Sequence, residues 1–416
     1  MSGSGSPRPA QIVIVGAGIV GAAVAMRLSQ TRPGTRLLLI EKENEPAAHQ
    51  TGHNSGVLHS GIYYAPGSLK ARLCVSGKRK MIAFAQEHFV PYRICGKLIV
   101  ATRPQETEQL QALWNNGVQN DVPDLEYCGR MRLRELEPSV GGVAAIYSPK
   151  TGVIDYRQVV AAMLEVFTER GGAVSTGTEV SSLLEADDGV TVRTNRGNYP
   201  ASLLINCAGL QADRIARMTG MPTDVRLIPF RGEYHLIRQE KARQIRNLVY
   251  PVPDPRFPFL GVHFTRTIHG VAEAGPNAVL ALAREGYRKT DVCFRDMVEM
   301  AAFGGFWKMA AKYWKMGLGE IYRSWARAGF AKALRRLLPE IETGDLQPGP
   351  SGVRAQCVTE SGELVNDFKI VANRRSLHVI NVPSPAATAS LAIADHILET
   401  YEAFIEKNLS GGQAGS

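Results

Sequence analysis

Residues 11–41 limit what this chain can fold into more than any other segment. They read Q-I-V-I-V-G-A-G-I-V-G-A-A-V-A-M-R-L-S-Q-T-R-P-G-T-R-L-L-L-I-E. An apolar run, a glycine-rich turn, a segment of small residues and a second apolar run predict a strand, a helix and a second strand. Gly16, Gly18 and Gly21 take the positions of G-x-G-x-x-G. Glycine there allows a tight turn, approach of the backbone to a pyrophosphate and close packing of helix on strand.

Glu41 ends the second apolar run, where a carboxylate can accept a hydrogen bond from a ribose hydroxyl. The phosphates would lie at the N-terminus of the helix, where free N–H groups and the helix dipole favour anions. We therefore predict a dinucleotide site. FAD and NAD share this fingerprint, but the sequence has no second copy of it. A flavoenzyme that NAD(P)H reduces would usually carry a second nucleotide domain, so we predict FAD, reduced directly by a small substrate.

Two later stretches support the same cofactor. Residues 203–219 form an apolar strand that ends at small residues and continues into a helix. Residues 378–398 predict a strand, a turn and a helix, with Ser384 as the N-cap and Pro385 at the first helical position. The N-terminus of this helix could stabilise negative charge on a reduced flavin. The predicted cofactor contacts here are Cys207, Ala208, Gly209, Ser384, Ala386, Ala387 and Thr388.

Composition narrows the remaining classes. The chain has 416 residues, 44% hydrophobic and 21% charged, which suits a soluble protein of two domains. Its six cysteines form no C-x-x-C pair, so neither a zinc site nor a disulfide framework is indicated, and we expect a cytoplasmic protein. The net charge of +9 fits nucleic acid, an anionic membrane or an anionic substrate, and the sign alone does not choose among them.

Several motifs together resemble one known family. They are H-N-S-G-V-L-H-S-G-I-Y-Y (53–64), the C-A-G strand end, P-F-R-G-E-Y (229–234), G-V-H-F-T-R (261–266), G-P-N-A-V-L-A (275–281), G-V-R-A-Q (352–356) and P-S-P-A-A-T-A-S-L-A (383–392). With the N-terminal fingerprint they closely resemble the L-2-hydroxyglutarate dehydrogenase/oxidase family of the D-amino-acid-oxidase-like, or glycine-oxidase-like, FAD oxidoreductases. The resemblance runs in order from about residue 11 to 400. It implies oxidation of L-2-hydroxyglutarate to 2-oxoglutarate with noncovalent FAD.

The resemblance also implies a discontinuous α/β (α+β mixed) architecture. A Rossmann-like FAD-binding domain would comprise 11–90, 150–223 and 350–405. A substrate domain with a mixed sheet would comprise 91–149 and 224–349. Locally, 92–102 and 225–237 are rich in β-formers and predict strands of that sheet.

The implied reaction needs a base for the hydroxyl proton and cations for two carboxylates. His59 and His263 are the candidate general bases, because neutral imidazole titrates in the useful pH range. In the glycine-rich segment 51–74, His53, Asn54 and Ser55 would contact the cofactor. Arginine has a planar fork that suits carboxylates. The predicted substrate contacts are Tyr63, Arg231, Tyr234, Arg266, Asn277 and Arg354. No metal is implied.

Two other readings stay open at this level. The first is a related flavin oxidase that acts on an amino acid or on glycerol 3-phosphate, since the fold does not fix the substrate. The second is a basic FAD protein that binds RNA, which would need basic residues interleaved with stacking aromatics along a groove. We expect no nucleic-acid partner.

The segment 306–336 concentrates much of the excess charge. It holds three of the four tryptophans and eight basic residues against one acid. Trp307, Trp314 and Trp325, with Lys308, Lys312, Lys315, Arg323 and Arg327, form a mixture typical of a membrane interface. The alternative is a helix pair with its tryptophans packed inward. We expect peripheral binding to the inner face of the cell membrane, with quinone or oxygen as the electron acceptor.

Overall fold

The structure, a computed structural model, describes residues 10–254 and 260–411, with side chains described for 11–254 and 260–404. The α-helices of the described ranges are α1 (Ile19–Thr31), α2 (Leu69–Glu87), α3 (Thr107–Gln119), α4 (Arg130–Leu136), α5 (Tyr156–Glu169), α6 (Ala212–Met218), α7 (Gln239–Ala242), α8 (Phe294–Ala301), α9 (Gly304–Trp325), α10 (Arg327–Leu334) and α11 (Ala386–Gly411). Short 3-10 helices lie at Pro104–Glu106, Gly209–Gln211 and Thr343–Asp345.

The strands are, in chain order, β1 (Ala10–Val15), β2 (Leu37–Ile40), β3 (Val57–Leu58), β4 (Tyr92–Ile94), β5 (Lys97–Ala101), β6 (Glu126–Gly129), β7 (Ala144–Ser148), β8 (Gly152–Ile154), β9 (Ala173–Ser175), β10 (Val180–Glu185), β11 (Val190–Thr194), β12 (Gly197–Asn206), β13 (Val225–Ile237), β14 (Leu248–Pro251), β15 (His263–Arg266), β16 (Ala272–Gly275), β17 (Val279–Leu280), β18 (Leu346–Thr359), β19 (Lys369–Asn373) and β20 (Ser376–Asn381). The predicted mixed α/β fold class is confirmed.

The chain divides into two compact units, each built from separate segments. The first unit comprises Met1–Gly52, Arg157–Val225 and Asn366–Ser416, and the second comprises His53–Tyr156 and Arg226–Val365. The boundaries differ from the predicted domains, because the segments that begin at His53 and end at Val365 make their contacts within the second unit. Which unit carries which function remains a prediction.

The first unit contains a sheet with parallel strands at its centre. Strand β1 pairs in parallel with both β2 and β12, and β20 pairs in parallel with β12. Helix α1 connects β1 to β2, as predicted from residues 11–41. Small buried residues let α11 pack closely on α1, and Arg27 of α1 forms an ion pair of 2.7 Å with Asp395 of α11.

The second unit contains a mixed sheet in the order β17-β13-β16-β15-β14-β5-β7-β6, with β18 paired to β13. Only side chains that alternate along a strand share a face of a sheet. Leu98, Val249 and Phe264 therefore lie on one face, in a core with Phe330 and Leu334 of α10. The side chains between them on the strands lie on the opposite face, which carries the candidate base His263.

The basic segment 306–336 forms α9 and α10. Trp307, Trp314 and Trp325 have exposed fractions of 59%, 56% and 74%. The alternative with inward-packed tryptophans therefore does not describe this structure. In the described part of the chain, we find no helix with the length and apolar character needed to cross a membrane.

Candidate active site

The glycine-rich turn of the first unit needs glycine at two positions for packing alone. Gly16 has a φ of +98°, and a Cβ atom added to it would lie 2.6 Å from the carbonyl oxygen of Cys207. A Cβ atom at Gly21 would lie 1.9 Å from the carbonyl oxygen of Gly16. No other residue fits at either position without moving backbone. These two glycines therefore close the contact between β1, α1 and the end of β12.

Gly18 is different, because the protein itself does not require glycine there. Its φ of −74° and ψ of 178° are ordinary extended backbone. An added Cβ atom would meet only the Oγ1 atom of Thr51, at 3.4 Å. Because glycine has no side chain, a space remains beside Gly18 at the N-terminus of α1. Free N–H groups and the helix dipole attract anions there. This is the geometry that a cofactor pyrophosphate requires, so the residues present fit FAD.

Thr51 supports this turn, although sequence reasoning did not select it. Its Oγ1 atom accepts a hydrogen bond of 2.9 Å from the backbone N–H of Ile19. Glu41 supports the turn as well. One carboxylate oxygen accepts from Ala17 N–H at 2.8 Å and the other from Glu43 N–H at 2.9 Å. A carboxylate offers about four acceptor sites, so these two bonds leave acceptor capacity for the ribose hydroxyl, and that bond remains a prediction.

The end of β12 is held close to the turn. Cys207 donates its backbone N–H to the carbonyl oxygen of Val15 at 2.9 Å, and Ala208 donates to Asn206 Oδ1 at 3.1 Å. Gly209 adopts a φ of +52°, which few other residues adopt readily. Burial raises the pKa of the Cys207 thiol to about 12, so it stays neutral. The contacts of Cys207, Ala208 and Gly209 with the cofactor remain predictions.

Helix α11 begins at Ala386, one residue later than predicted. The carbonyl oxygen of Pro385 accepts a hydrogen bond of 3.0 Å from Ala389 N–H, which makes Pro385 the N-cap residue. Ser384 is exposed and precedes the cap, so its predicted capping role is wrong. Ala386 and Ala387 are partly buried in the first turn, and Thr388 is 1% exposed.

His263 lies on the polar face of the second unit's sheet. Its Nδ1 atom is 2.8 Å from the carbonyl oxygen of Gly261, which can only accept. Nδ1 therefore carries the proton, and Nε2 holds a free lone pair. The imidazole stacks on Tyr250 of the neighbouring strand, with 3.8 Å between ring centroids. Burial first, and then the charges of Lys97 and Arg354, lower the pKa of His263 to about 3.

His59 belongs to the same group. Burial, followed by the charges of Lys97, Lys78 and Arg354, lowers its pKa to about 3. Its backbone carbonyl oxygen lies 3.6 Å from the Sγ atom of Cys74 on α2. Both candidate bases are therefore neutral at physiological pH and lie within the electrostatic reach of the same cations.

Two lysines in this group were missed by sequence reasoning. Lys97 of β5 is 2% exposed and Lys78 of α2 is 7% exposed. Burial is the main cause that lowers the pKa of Lys97 to about 7 and of Lys78 to about 8. A signal for Lys97 was present in K-L-I-V-A, because alternation puts Lys97 on one face with Ile99 and Ala101.

The predicted substrate contacts separate into two sets. Tyr63, Tyr234 and Arg354 belong to the polar group around His263. The Tyr63 hydroxyl is buried and has no hydrogen-bond partner in the described ranges. Burial raises the pKa of Tyr234, and its hydrogen bond with Arg354 opposes that rise. Arg266 pairs with Ala272, and strand alternation places it on the face of Phe264, opposite to His263.

Arg231 and Asn277 have internal partners instead. Arg231 forms an ion pair of 3.0 Å with Glu233, and both side chains are about nine-tenths buried. The amide of Asn277 donates to Glu233 Oε2 at 3.1 Å and accepts from Glu233 N–H at 2.7 Å. Because this network holds both side chains, we do not retain them as substrate contacts. The i, i+2 spacing of Arg231 and Glu233 on one strand was the available signal.

The remaining predicted cofactor contacts lie at the start of the second unit. His53 is fixed by a hydrogen bond of 2.9 Å between its Nδ1 atom and the Ser351 carbonyl, and it stacks on Tyr287 with 4.0 Å between centroids. Asn54 Oδ1 accepts from Gly56 N–H at 2.8 Å, which stabilises a local turn. Ser55 is partly buried.

The chain is similar in sequence to known FAD-dependent enzymes over nearly its whole length. The profile of the FAD dependent oxidoreductase family, DAO, matches residues 11–400. The chain is 45% identical over 390 residues to L-2-hydroxyglutarate dehydrogenase of Indibacter alkaliphilus, covering 94% of this chain and 98% of that protein. It is 43% identical over 402 residues to L-2-hydroxyglutarate dehydrogenase of Escherichia coli K12, covering 96% and 95%.

The similarity extends to animal proteins and to solved structures. The mitochondrial L-2-hydroxyglutarate dehydrogenase of Homo sapiens is 42% identical over 432 residues, covering 96% of this chain and 93% of that protein. Among solved structures, FAD-bound L-alpha-glycerophosphate oxidase of Mycoplasma pneumoniae superimposes with a TM-score of 0.77 at 23% identity, covering 93% of each chain. Glycine oxidase of Geobacillus kaustophilus gives a TM-score of 0.68 at 18% identity, covering 92% of each chain.

Proposed function

The chain belongs to the L-2-hydroxyglutarate dehydrogenases of the FAD-dependent oxidoreductase family, and from this premise we propose how its residues carry out the reaction. It oxidises L-2-hydroxyglutarate to 2-oxoglutarate with FAD. The observation that carries our mechanism is the polar sheet face of the second unit, where His263 keeps a free Nε2 atom within the reach of Lys97 and Arg354.

The cofactor site uses the turn of the first unit. Gly16 and Gly21 bring β1, α1 and the end of β12 together, and Gly18 leaves the space beside the N-terminus of α1 to the pyrophosphate. Thr51 and Glu41 hold this turn through backbone N–H groups. When bound there, FAD supplies the acceptor for the hydride that leaves C2 of the substrate.

The protein's own chemical task is to remove a proton. As the C2–H bond breaks and its electron pair leaves with the hydrogen, the C2 hydroxyl becomes a carbonyl and loses its proton. His263 Nε2 accepts that proton in our mechanism, because the hydrogen bond from Nδ1 to Gly261 fixes the tautomer. His59 remains the second candidate base, and single substitutions distinguish the two.

The low pKa values describe the protein without substrate. Burial is the first cause of the low pKa at His263, followed by its bond to Gly261, which acts in the opposite direction, and by the charges of Lys97 and Arg354. Two substrate carboxylates would offset those charges and raise the basicity of the imidazole. The base would thus become stronger when the substrate is bound.

Arg354 is our candidate for the carboxylate next to C2. A guanidinium can bind both oxygens of a carboxylate and fix its plane, whereas an ammonium acts as a point charge. The arginine also interacts with Tyr234, whose hydroxyl can help to orient the same carboxylate. This assignment uses two of the residues that were predicted from the sequence.

A related oxidase of an amino acid or of glycerol 3-phosphate is not favoured. The glycerophosphate oxidase and glycine oxidase structures are 23% and 18% identical to this chain and show the fold alone. The bacterial and human relatives at 42–45% identity are named for L-2-hydroxyglutarate.

For the second half of the reaction, we infer that the electron acceptor is a quinone dissolved in a membrane. The exposed apolar residues of α9 repeat at helical spacing along one face. They are Trp307, Trp314, Leu318, Ile321 and Trp325, exposed by 44–74%. Lys308, Lys312 and Lys315 are exposed beside them, while the helix's acid, Glu320, is 5% exposed.

This combination suits an anionic bilayer surface. Tryptophan rings favour the depth of the lipid headgroups, and lysines are attracted to anionic lipids. Glu320 is buried and forms an ion pair with Arg323, so it presents little negative charge that would oppose that attraction. We therefore infer peripheral attachment through α9, which would bring the reduced enzyme to its quinone.

Anaerobic mixing tests the proposed reaction directly. The holoenzyme is combined with L-2-hydroxyglutarate, D-2-hydroxyglutarate, an amino acid and glycerol 3-phosphate, and flavin absorbance is followed. Bleaching by L-2-hydroxyglutarate alone, with one 2-oxoglutarate formed per flavin, is the expected result. Failure of L-2-hydroxyglutarate to bleach a folded, FAD-loaded protein would overturn the proposal. Reoxidation by a soluble quinone or by oxygen then compares the two acceptors.

A further inference from the structure

We propose that Lys97 binds the substrate carboxylate that is farther from the reacting carbon, and that it thereby selects dicarboxylates over 2-hydroxy acids with one carboxylate. This inference rests on the proposed function, because it concerns the same substrate. It goes further by assigning a specificity role to a residue that neither the sequence motifs nor the reaction itself required.

The first observation is that Lys97 is buried without an anionic partner. It is 2% exposed, and its Nζ atom lies 3.6 Å from the centroid of the Tyr250 ring and 4.5 Å from that of Tyr63. Among the side chains described for residues 11–254 and 260–404, no acidic group forms an ion pair with its ammonium. Burial of an unpaired charge is costly, and aromatic faces compensate only in part. The site is therefore prepared for an anion that the protein does not supply.

The second observation is the charge of the surroundings. Lys97, Lys78 and Arg354 all act on His59, and each of them lowers its pKa. Among the described strands of this sheet, Glu273 of β16 is an acid on this face, but β16 lies three strands away from β5, and burial raises the pKa of Glu273. The titratable groups that interact with Lys97 are Tyr63, Cys74, Tyr250, His59 and His263, and none of these is a carboxylate. A dicarboxylate would bring the missing negative charge.

The position of Lys97 favours the remote carboxylate. Strand β14 separates β5 from β15, so Tyr250 stands between Lys97 and His263 and contacts both. The reacting carbon must be near the base, and the carboxylate next to it must be fixed in orientation, which suits the fork of Arg354. The flexible stem and single charge of Lys97 suit the far end of the chain, where orientation matters less.

The test compares two substrates that differ only at the far end. L-2-hydroxyglutarate is compared with (S)-2-hydroxypentanoate, in which a methyl group replaces the remote carboxylate. The rate constant of anaerobic flavin reduction divided by the substrate dissociation constant is measured for the wild type and for Lys97→Met. We expect the variant to lose about 10²–10³-fold with the dicarboxylate. With the monocarboxylate its value should stay within about threefold.

Lys78→Met is the matched control, since it removes a second buried positive charge from the same group. It should keep the preference for the dicarboxylate to within about tenfold. An equal loss with both substrates in Lys97→Met would mean that Lys97 serves as a base or as a structural element, and would overturn the inference. A Lys97→Met variant that keeps the wild-type preference for the dicarboxylate over the monocarboxylate would also overturn the inference. Failure of the proposed function is a separate result, namely a wild type that L-2-hydroxyglutarate does not reduce.

A measurement on the wild type covers the case in which Lys97→Met does not fold. Glutarate and pentanoate are titrated into the holoenzyme from pH 6 to 10, and binding is followed through the flavin spectrum. Because the pKa of Lys97 is about 7, glutarate should bind about tenfold more weakly for each pH unit above 7, and pentanoate should not. Identical pH profiles for the two acids would contradict the inference. The same slope should persist in Lys78→Met.

Discussion

The ammonium of Lys97 lies over the ring of Tyr250, 3.6 Å from its centroid, in a region that is almost fully buried. The contact explains how a lysine can be buried without an acid beside it, but cation–π attraction contributes only about 1–2 kcal/mol. A pKa that falls from 10.5 to about 7 corresponds to a cost of about 4–5 kcal/mol. The free protein thus carries a destabilised group at its polar sheet face.

Replacement of Lys97 by methionine should therefore stabilise the protein. A base whose folded pKa lies below its unfolded pKa destabilises the fold most below the folded value, and the penalty fades as pH rises toward 10.5. We expect a higher melting temperature for Lys97→Met than for the wild type at pH 6, and a smaller difference at pH 9. Thermal unfolding of the FAD-free proteins measures this. A lower melting temperature at both pH values would indicate that the lysine is structural.

Gly18→Val should remove FAD without unfolding the first unit. The backbone at Gly18 is ordinary, and an added Cβ atom meets only Thr51 Oγ1, at 3.4 Å, so the apoprotein should tolerate the change. FAD affinity should fall at least about 100-fold, because the side chain occupies the pyrophosphate space. Flavin fluorescence titration measures the loss of FAD affinity, and the melting temperature of the apoprotein measures whether the fold tolerates the change.

Gly129→Val is the matched control for that substitution. Gly129 also caps a helix, with a φ of −75° and a ψ of 177°, and an added Cβ atom would meet nothing within 4 Å. It should keep wild-type FAD affinity. If Gly18→Val retains FAD as well as Gly129→Val does, the proposed pyrophosphate site beside Gly18 is wrong.

His263→Gln should slow flavin reduction by about 10²–10⁴-fold at saturating substrate, since it removes the proposed base. Stopped-flow absorbance under nitrogen measures the rate. His235→Gln is the control, because His235 has a lowered pKa but pairs with Ala274 and contacts Phe330 on the other face of the sheet. A wild-type rate in His263→Gln, with a slow rate in His59→Gln, would transfer the role to His59.

Arg231→Met should cost about 3 kcal/mol of unfolding free energy, because it leaves Glu233 buried without its closest positive charge. Burial alone would raise the pKa of Glu233, but bonds from Ser324 and Asn277 and the charges of Lys289 and Arg231 lower it. Addition of Glu233→Gln to Arg231→Met should recover most of the loss. Urea unfolding measures both variants, and a stable single variant would contradict this account.

Trp314→Ala combined with Lys315→Glu should weaken binding to vesicles that contain anionic lipid. Both residues are exposed on α9. Co-sedimentation at low salt should recover the wild type with the vesicles and leave the double variant in solution, and high salt should release the wild type. Met131→Ala with Arg130→Glu makes the same change of charge on α4, where Met131 is 82% exposed, and should bind normally. A wild type that stays in the supernatant at low salt would exclude the membrane role.

The sequence was most informative where local rules determine local structure. The β1–α1–β2 unit follows from Gly16, Gly18 and Gly21, since each constraint acts within a few residues. The start of α11 was misplaced by one residue, because both Ser384 and Pro385 are favourable near a helix N-terminus and only the hydrogen bond from Ala389 distinguishes them.

The substrate face was harder to predict, because burial there depends on strands that are distant in sequence. Lys97 begins the otherwise apolar strand β5, and from the sequence alone it could equally have faced water. Its burial follows from pairing of β5 with β14, about 150 residues further along the chain. Arg231 was selected as a carboxylate ligand for the correct chemical reason, but its carboxylate turned out to be Glu233 of the same strand.

The separated segments of the first unit have a consequence for the order of events during synthesis. Strand β1 cannot pair with β12 until β12 has been synthesised. Helix α1 cannot pack against α11 until α11, which begins at Ala386, has been synthesised. At about 5–20 residues per second, a ribosome needs roughly 20–70 seconds to make the intervening chain. Throughout that interval the apolar side of α1 has no partner from α11. The packing of α1 against α11 can therefore form only late in synthesis, after most of the second unit has been made.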